Sequence, residues 1–285
     1  MPGESSPTET TYAEIAYAKV NLALHVRARR ADGYHELESL FIFCHDGDRL
    51  TAKVRDDGAL TLTVGGAFGG ELGAGEDNLV LRAARALRAA AGIGAGAVLT
   101  LDKRLPIASG IGGGSADAAA VLRLLVRLWG ITPADADLLA IAAGLGADVP
   151  ACLGSETVFG EGVGERLSPV GLALAGMPIL LVNPLLPCPT GPVFRAWDGL
   201  DRGPLLPEGW REGRNDLQLP ALTLVPEIAA VLAALASLPG AGLARMSGSG
   251  ATCFALFDDP RARDEAQEAI HRTHPDWWTL ASSIR

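Results

Sequence analysis

The segment Leu105 to Ala116 holds the residues best suited to bind a phosphate. Its glycines at 110, 112, 113 and 114 lack a Cβ, so the backbone can adopt positive φ angles and bring its N–H groups close to a ligand. A helix is expected from Ser115, and the unpaired N–H groups at a helix start favour an anion. The loop is not a Walker A motif, because no Lys-Ser/Thr pair follows the glycines. The residues alone leave two alternatives open, a phosphate cradle and a structural turn.

A second glycine loop, Met246 to Ala251, lies between two apolar runs typical of strands. Taken by itself, it indicates a glycine-rich hairpin. Two such loops in one chain favour a nucleotide and a second ligand that meet between domains.

Asp148 and Lys19 could supply the chemistry of a group transfer. Asp148 lies among small and apolar residues, where it is either a turn residue that caps local N–H groups or an acid or base in a cleft. Lys19 occurs in an alternating strand and shares one face with Asn21, and that face is either solvent-exposed or functional. A lysine close to an aspartate would keep the carboxylate ionised and stabilise phosphoryl charge, which is the set of groups that phosphoryl transfer needs.

The hydrophobic pattern predicts a mixed α+β chain that carries these loops. Strands are expected within residues 12–54 around a turn at Asp32-Gly33, and also at 60–64, 97–101, 178–182, near 243, at 252–257 and around 278. Helices are expected from Asn78 to about 91, from about 115 to 129, from a Thr132-Pro133 cap to about 144, at 226–238 and from about 260. A Pro-rich linker is expected up to about residue 207, and a domain boundary near 165.

Composition excludes several classes of protein. With 285 residues, of which 48% are hydrophobic, the chain can bury a large core without disulfides or a structural metal. The net charge of −9 disfavours binding to nucleic acid or to an anionic membrane surface, so a local device must hold any anionic ligand. Four dispersed cysteines and a polar N-terminus without an apolar stretch predict a soluble, cytoplasmic protein. His271 and His274 lack a third ligand nearby, so no metal site is expected there.

Three segments resemble the motifs of the GHMP kinases, the superfamily of galactokinase, homoserine kinase and mevalonate kinase. Ala16 to Leu24 is similar to the N-terminal motif, Pro106 to Ala116 to the phosphate loop, and Met246 to Ala251 to the C-terminal glycine motif. The resemblance runs in order from about residue 13 to residue 257. Further segments resemble the branch of the superfamily that phosphorylates a cytidine-diphosphate-linked methylerythritol: Arg30 to Leu37, Glu76 to Leu79, Asp102 to Pro106, Gly146 to Pro150 and Gly160 to Glu165.

The resemblance implies an ATP-dependent kinase, with Mg2+ accompanying ATP, that phosphorylates the 2-hydroxyl of this small-molecule acceptor in the non-mevalonate route to isoprenoid precursors. It implies that Asp148 takes the hydroxyl proton and that Lys19 orients the carboxylate and stabilises phosphoryl charge. The residues implied at ATP are Asn78, Lys103, Pro106, Ile107, Ala108, Ser109, Gly110, Ile111, Gly112, Gly113, Gly114, Ser115 and Ala116. Those implied at the acceptor are Asn21, Tyr34, His35, Phe194, Gly248 and Gly250, and no side chain is assigned to the metal.

Two positions depart from the motifs that this branch usually carries. Ser109 stands where the loop usually has glycine, which puts the backbone angle there in question. Phe194 stands in place of a tyrosine and keeps the stacking face. Without the motif, His35 would be interpreted as a surface histidine of the hairpin.

The resemblance also implies the fold, a two-domain α+β GHMP kinase. A ribosomal protein S5 domain 2-like domain is expected over residues 1–165, a ferredoxin-like α+β domain over 166–285, and the active site in the cleft between them. The chain is expected to be a monomer or a homodimer. Two alternatives are another small-molecule kinase of the superfamily, of the homoserine or mevalonate type, and a nucleotide-binding regulator that has lost catalysis.

Overall fold

The computed structural model describes residues 10–285. The predicted polar N-terminus spans residues 1–14, of which residues 1–9 lie outside this range. Within it, the strands form two sheets, and helices cover part of each. The prediction of an α+β fold is therefore confirmed.

The first sheet has six strands and is built around a long hairpin. The second strand of the hairpin, β2, is the hub, because it pairs with β1, β4 and β5. All pairs are antiparallel except β3 with β4. The strands are β1 (Tyr12–Arg29), β2 (His35–Arg55), β3 (Leu60–Gly65), β4 (Gly96–Asp102), β5 (Val158–Gly162) and β6 (Arg166–Pro169). The last strand of this sheet, β6, pairs with β5 and ends at Pro169. The predicted domain boundary at residue 165 lies close to this end and stays a prediction.

Four helices pack on this sheet and form a core rich in alanine and leucine. Helix α2 is the central one, with ten buried residues. Helix α3 begins at Asp135, after an N-cap at Ala134, so the predicted Thr132-Pro133 cap is wrong by two residues. Two aspartates in its first turn complement the helix dipole in place of a capping side chain. The helices are α1 (Leu79–Ala91), α2 (Gly113–Trp129), α3 (Asp135–Leu145) and α4 (Val149–Gly154).

The second sheet is antiparallel, in the order β10-β7-β9-β8. Its strands are β7 (Pro178–Asn183), β8 (Ala241–Met246), β9 (Cys253–Phe257) and β10 (Trp278–Ser283). The second glycine loop joins β8 to β9, as predicted. The segment predicted as a Pro-rich linker contains the short helix α5. The helices of this half are α5 (Thr190–Arg195), α6 (Gln218–Leu224), α7 (Ile228–Ala236) and α8 (Pro260–Thr273).

A shared core joins the two sheets. Val20 and Leu22 of β1 and Ile42 of β2 are buried together with Leu181 and Phe254 of the second sheet. The hairpin therefore buries one side against the second sheet, and its alternate residues, including Lys19, point to the other side.

Backbone bonds extend this junction. The Leu24 N–H donates to Arg214 O at 2.8 Å, and the Asp216 N–H donates to Leu24 O at 2.9 Å. The long first strand thus belongs to both halves of the molecule.

The four cysteines are buried and unpaired. None of the helices in residues 10–285 combines the length and apolar composition needed to cross a bilayer.

Candidate functional site

The first glycine loop connects β4 to α2 and has the backbone conformation that a cradle requires. Gly110 and Gly112 have φ angles of 78° and 63°, and Ala108 also lies in the left-handed region at 50°. Ser109, the departure from the usual glycine, does not have a positive φ, and its hydroxyl donates to Pro106 O at 2.6 Å. Serine is therefore accommodated at position 109 without backbone strain. The residue with the left-handed backbone conformation is the preceding one, Ala108.

The two glycine loops pack directly on each other. A Cβ on Gly110 would lie 2.5 Å from Ser247 O, and a Cβ on Gly248 would lie 2.8 Å from Gly110 O. The Ser247 hydroxyl donates to Gly110 O at 2.9 Å and accepts from the Asn21 N–H at 3.1 Å. Glycine is required at both positions because no side chain fits between the two backbones. The second loop is a hairpin connection between β8 and β9, as its sequence alone indicated, and it also packs on the first loop.

Lys19 and Asp148 form an ion pair beside the first loop. Lys19 Nζ lies 2.8 Å from Asp148 Oδ2, and the side chains are 5% and 37% exposed. The Lys19 N–H donates to Ile111 O at 3.1 Å, and the Lys19 ammonium lies 4.5 Å from the centre of the Phe41 ring. A Cβ on Gly112 would be 3.0 Å from Lys19 Cε, so this glycine makes room for the lysine. The cation is thus held rigidly against the loop.

The structure excludes one of the alternatives left open for each of these side chains. Asp148 precedes α4 but makes no capping hydrogen bond, so it is not a turn-capping residue. Lys19 and Asn21 are both buried, which excludes a solvent-exposed face. Asn21 Nδ2 donates to the Ser39 hydroxyl at 2.7 Å, which orients the amide beside the ion pair.

Two cavities meet at the first glycine loop. One, of about 600 Å³, lies between the start of α1 and the start of α2, and the other, of about 750 Å³, lies between the two halves of the molecule. Ala108, Gly113, Gly114 and Leu79 line both. Asp148 and Lys19 line the larger cavity only, so a group that crosses the loop from the smaller cavity would reach this pair.

Asn78 and Lys103 line the smaller cavity, but their polar groups are already engaged. Asn78 caps α1, with Oδ1 accepting from the Val80 N–H at 2.9 Å and Nδ2 donating to Gly73 O at 2.8 Å. Lys103 is 2% exposed, and its ammonium lies between Asp48 and Asp117, 2.6 Å from Asp117 Oδ2. Both residues therefore shape the cavity wall.

The pair of carboxylates around Lys103 also holds the first glycine loop. Asp48 Oδ1 accepts from the N–H groups of Arg104 and Leu105, at 2.6 and 2.8 Å. Burial raises the pKa of Asp117 to about 7, against the opposing charge of Lys103. Asp117 Oδ1 has no hydrogen-bond partner among the described residues. The two buried carboxylates thus share the single ammonium of Lys103 at the base of the loop.

Tyr34, His35 and Phe194 gather at the far end of the larger cavity. The His35 and Phe194 ring centres are 5.1 Å apart, and Trp197 packs edge-on at 5.7 Å. His35 is buried, so its interpretation as a surface histidine is wrong, whereas Tyr34 is 63% exposed. Burial and the charge of Arg29 lower the pKa of His35. Arg29 Nε donates to His35 Nε2, so the neutral ring carries its proton on Nδ1.

Sequence reasoning missed several residues that support the site. Ser247 and Ser249 lie inside the second glycine motif, and their place next to its glycines was the available signal. Asn215 Nδ2 donates to Met246 O and Gly248 O, both at 2.8 Å, from a segment without any motif. Asp48 and Ser39 lay in ordinary strand sequence and could be found only from the fold.

The two glycine loops in contact, with an ion pair beside them and a cavity on each side, form an arrangement that suits a small-molecule kinase. Two family models place the chain in that class. The profile described as "GHMP kinases N terminal domain" matches residues 78–156, and "GHMP kinases C terminal" matches residues 198–276. A homoserine kinase structure from Cytophaga hutchinsonii has a TM-score of 0.71 at 18% identity, covers 98% of this chain and 96% of its own, and shares the fold.

Relatives with a higher sequence identity to this chain show to which family of GHMP kinases it belongs. The 4-diphosphocytidyl-2-C-methyl-D-erythritol kinases of Rhizorhabdus wittichii and Novosphingobium aromaticivorans are each 55% identical over 95% of this chain, and 94% and 92% of their own lengths are covered. A crystal structure of a 4-(cytidine 5'-diphospho)-2C-methyl-D-erythritol kinase has a TM-score of 0.81 at 39% identity, with 95% of this chain and 98% of that chain covered. The chain belongs to the GHMP kinases and, within them, to the 4-diphosphocytidyl-2-C-methyl-D-erythritol kinase family. The two-domain GHMP kinase fold expected from the motifs is confirmed.

The raised pKa of Asp117 predicts a pH dependence of stability. A carboxyl whose pKa is higher in the folded state binds more protons there, so its contribution to the free energy of unfolding falls as pH rises from about 4, near its unfolded pKa, to about 7. Asp117→Asn should remove this decrease, as measured by urea unfolding at several pH values. Asp56→Asn, in an exposed turn, serves as the control and should leave the decrease in place. An unchanged pH profile in Asp117→Asn would contradict the assignment.

Proposed function

We propose that this chain transfers the γ-phosphoryl group of ATP to the 2-hydroxyl of 4-diphosphocytidyl-2-C-methyl-D-erythritol. The observation that carries the proposal is the position of the Lys19–Asp148 pair. It lies in the larger cavity, beside the glycine loop that also lines the smaller one. ATP would occupy the smaller cavity and the acceptor the larger one.

Within this arrangement, Asp148 accepts the proton of the acceptor hydroxyl. Lys19 holds Asp148 Oδ2 at 2.8 Å, which fixes the orientation of the carboxylate, and its ammonium stabilises charge on the transferring group. The N–H groups around residues 110–114, together with the start of α2, bind the phosphates. The proposed ATP-binding set is residues 106–116, with Asn78 and Lys103 shaping the nucleotide cavity.

Mg2+ accompanies ATP in this proposal and offsets phosphate charge when bound. No group of three His, Cys, Asp or Glu side chains suited to a metal occurs in residues 10–285. Magnesium is commonly held by substrate phosphates and water with one or two carboxylates. The phosphates and water would hold an ion of that kind, and no side chain of this chain is assigned to it.

The far end of the larger cavity supports a cytosine-containing acceptor. Phe194 offers a ring face for stacking, and His35, with its proton on Nδ1, offers a donor to a base edge. Asn21 lies beside the ion pair. Gly248, which has no side chain, lets the second loop approach Asn21. Gly250 belongs to the same loop. A small acceptor such as homoserine or mevalonate has no base to occupy these aromatic groups, which favours the cytidine-linked acceptor.

The buried, unpaired cysteines suit a reducing compartment, and we propose a cytoplasmic location. The oligomeric state is proposed as a monomer or a homodimer.

The proposed activity predicts acceptor-dependent release of ADP. With ATP and Mg2+, the chain should release ADP with 4-diphosphocytidyl-2-C-methyl-D-erythritol and far less with homoserine or mevalonate, as measured by a coupled assay. Equal rates with homoserine or mevalonate would favour another kinase of the superfamily. ATP binding without ADP release with any acceptor would favour a nucleotide-binding regulator.

Removing the proposed base should abolish turnover while ATP still binds. Asp148→Asn should lower kcat by roughly 10²–10⁴-fold, because the amide cannot accept the hydroxyl proton. ATP affinity, measured by calorimetry, should stay within about twofold, since Asp148 does not line the nucleotide cavity. Asp137→Asn, on exposed α3, is the matched control. Turnover retained in Asp148→Asn would refute the proposed base.

Removing the imidazole should impair acceptor binding selectively. His35→Ala should raise the KM for the cytidine-linked acceptor by about tenfold or more, because it deletes a ring and a buried hydrogen-bond donor. The KM for ATP should change little, and exposed His45→Ala should change neither. Equal increases in both KM values would argue against a role at the base.

A further inference from the structure

We infer that Arg195 binds the diphosphate of the acceptor. This inference rests on the proposed function, which places a cytidine diphosphate in the larger cavity. The diphosphate carries negative charge between a base at Phe194 and a hydroxyl at Asp148. A cation is expected along that path, and the geometry points to Arg195 as the residue that supplies it.

Few charged side chains line the larger cavity. Among residues 10–285 they are those of Lys19, Asp148 and Arg195. Lys19 and Asp148 neutralise each other in their ion pair. Arg195 therefore gives the lining a net positive charge, in a chain whose total charge is −9.

Arg195 is an exposed residue whose side chain lines the larger cavity. Within residues 10–285, no carboxylate forms an ion pair with it and no acceptor receives a hydrogen bond from it. Many other arginines of the structure are paired with a carboxylate, as Arg27 is with Asp201 at 2.9 Å. An arginine that faces a cavity with all its donors free is suited to a bidentate contact with a phosphate group.

The backbone that carries Arg195 is firmly held, so the free guanidinium is presented from a fixed base. At the C-terminal end of α5, Arg29 Nη2 donates to Arg195 O and to Trp197 O, both at 3.3 Å. At the other end, the Thr190 hydroxyl lies 3.0 Å from the Ser249 hydroxyl of the second glycine loop. Helix α5 is thus anchored between the aromatic end of the cavity and the glycine loops.

The side chain of Arg195 folds back along this helix into the cavity. A Cβ on Gly191 would lie 3.2 Å from Arg195 Nη1, so the guanidinium lies over Gly191. Gly191 and Thr190 also line the larger cavity, between Phe194 and the second loop. The guanidinium therefore lies along the wall that a linker between base and polyol must follow.

The experiment compares the affinities of cytidine and CDP, measured by calorimetry, in the presence of a saturating non-hydrolysable ATP analogue that fills the nucleotide cavity. The wild-type chain should bind CDP more tightly than cytidine. Arg195→Gln should lose about tenfold in CDP affinity and keep its cytidine affinity, because a charge-assisted contact is removed and the base pocket is not. Arg195→Lys should keep part of the CDP affinity, since it retains the charge but not the planar fork.

One control variant and two further measurements complete the design. Arg49→Gln removes the same charge from an exposed position of β2 outside the cavity and should leave both affinities unchanged. The CDP affinity of the wild type should fall with added salt more steeply than that of Arg195→Gln. In turnover, Arg195→Gln should raise the KM for the acceptor while kcat and the KM for ATP hold.

The outcomes separate this inference from the proposed function. If cytidine binds and Arg195→Gln leaves the ratio of CDP to cytidine affinity unchanged, Arg195 does not bind the diphosphate, and the proposed function stands. If the wild-type chain binds neither cytidine nor CDP, the cytidine-linked acceptor and the role of Arg195 are both overturned.

Discussion

The contact between the two glycine loops is the constraint on which the rest of the site depends. Gly110 and Gly248 meet with their backbones closer than any side chain permits, and Ser247 bonds both to Gly110 and to β1. This contact closes the junction between the two sheets at one point and leaves a cavity on each side. A phosphate bound by the first loop would therefore lie at a fixed distance from anything bound against the second.

Electrostatics in this acidic chain are local and paired. Lys19 is matched with one carboxylate, and Lys103 is shared by two that are fully buried. A buried charge is costly unless it is paired and hydrogen-bonded, and these two lysines satisfy that condition in different ways. Lys19 lines the larger cavity, whereas Lys103 connects β2 to α2 beneath the loop.

Much of the fold and the main groups of the site could be predicted from the sequence. The alternating runs of the hairpin and the caps and glycines around the helices are local signals, and they located most elements within a few residues. The glycine loops were visible from their composition. The residues alone left Lys19 and Asp148 open, and only the resemblance to the GHMP kinases assigned them a joint role. The burial of His35 was not visible, because it depends on Phe194 and Trp197, about 160 residues away in the chain. The same holds for Asp48 and Asn215, whose hydrogen bonds join distant segments.

The first strand has 18 residues and contacts almost every part of the site. Lys19 and Asn21 reach the glycine loops, Leu24 joins the second half, and Arg29 anchors α5. Because side chains alternate along a strand, the phase of β1 decides which of them face the cavity. A shift of one residue would present Val20 and Leu22 to the larger cavity and bury Lys19 and Asn21 between the sheets. An insertion in β1 would therefore turn every side chain beyond it to the opposite face, so insertions are expected only in the connections around the strand.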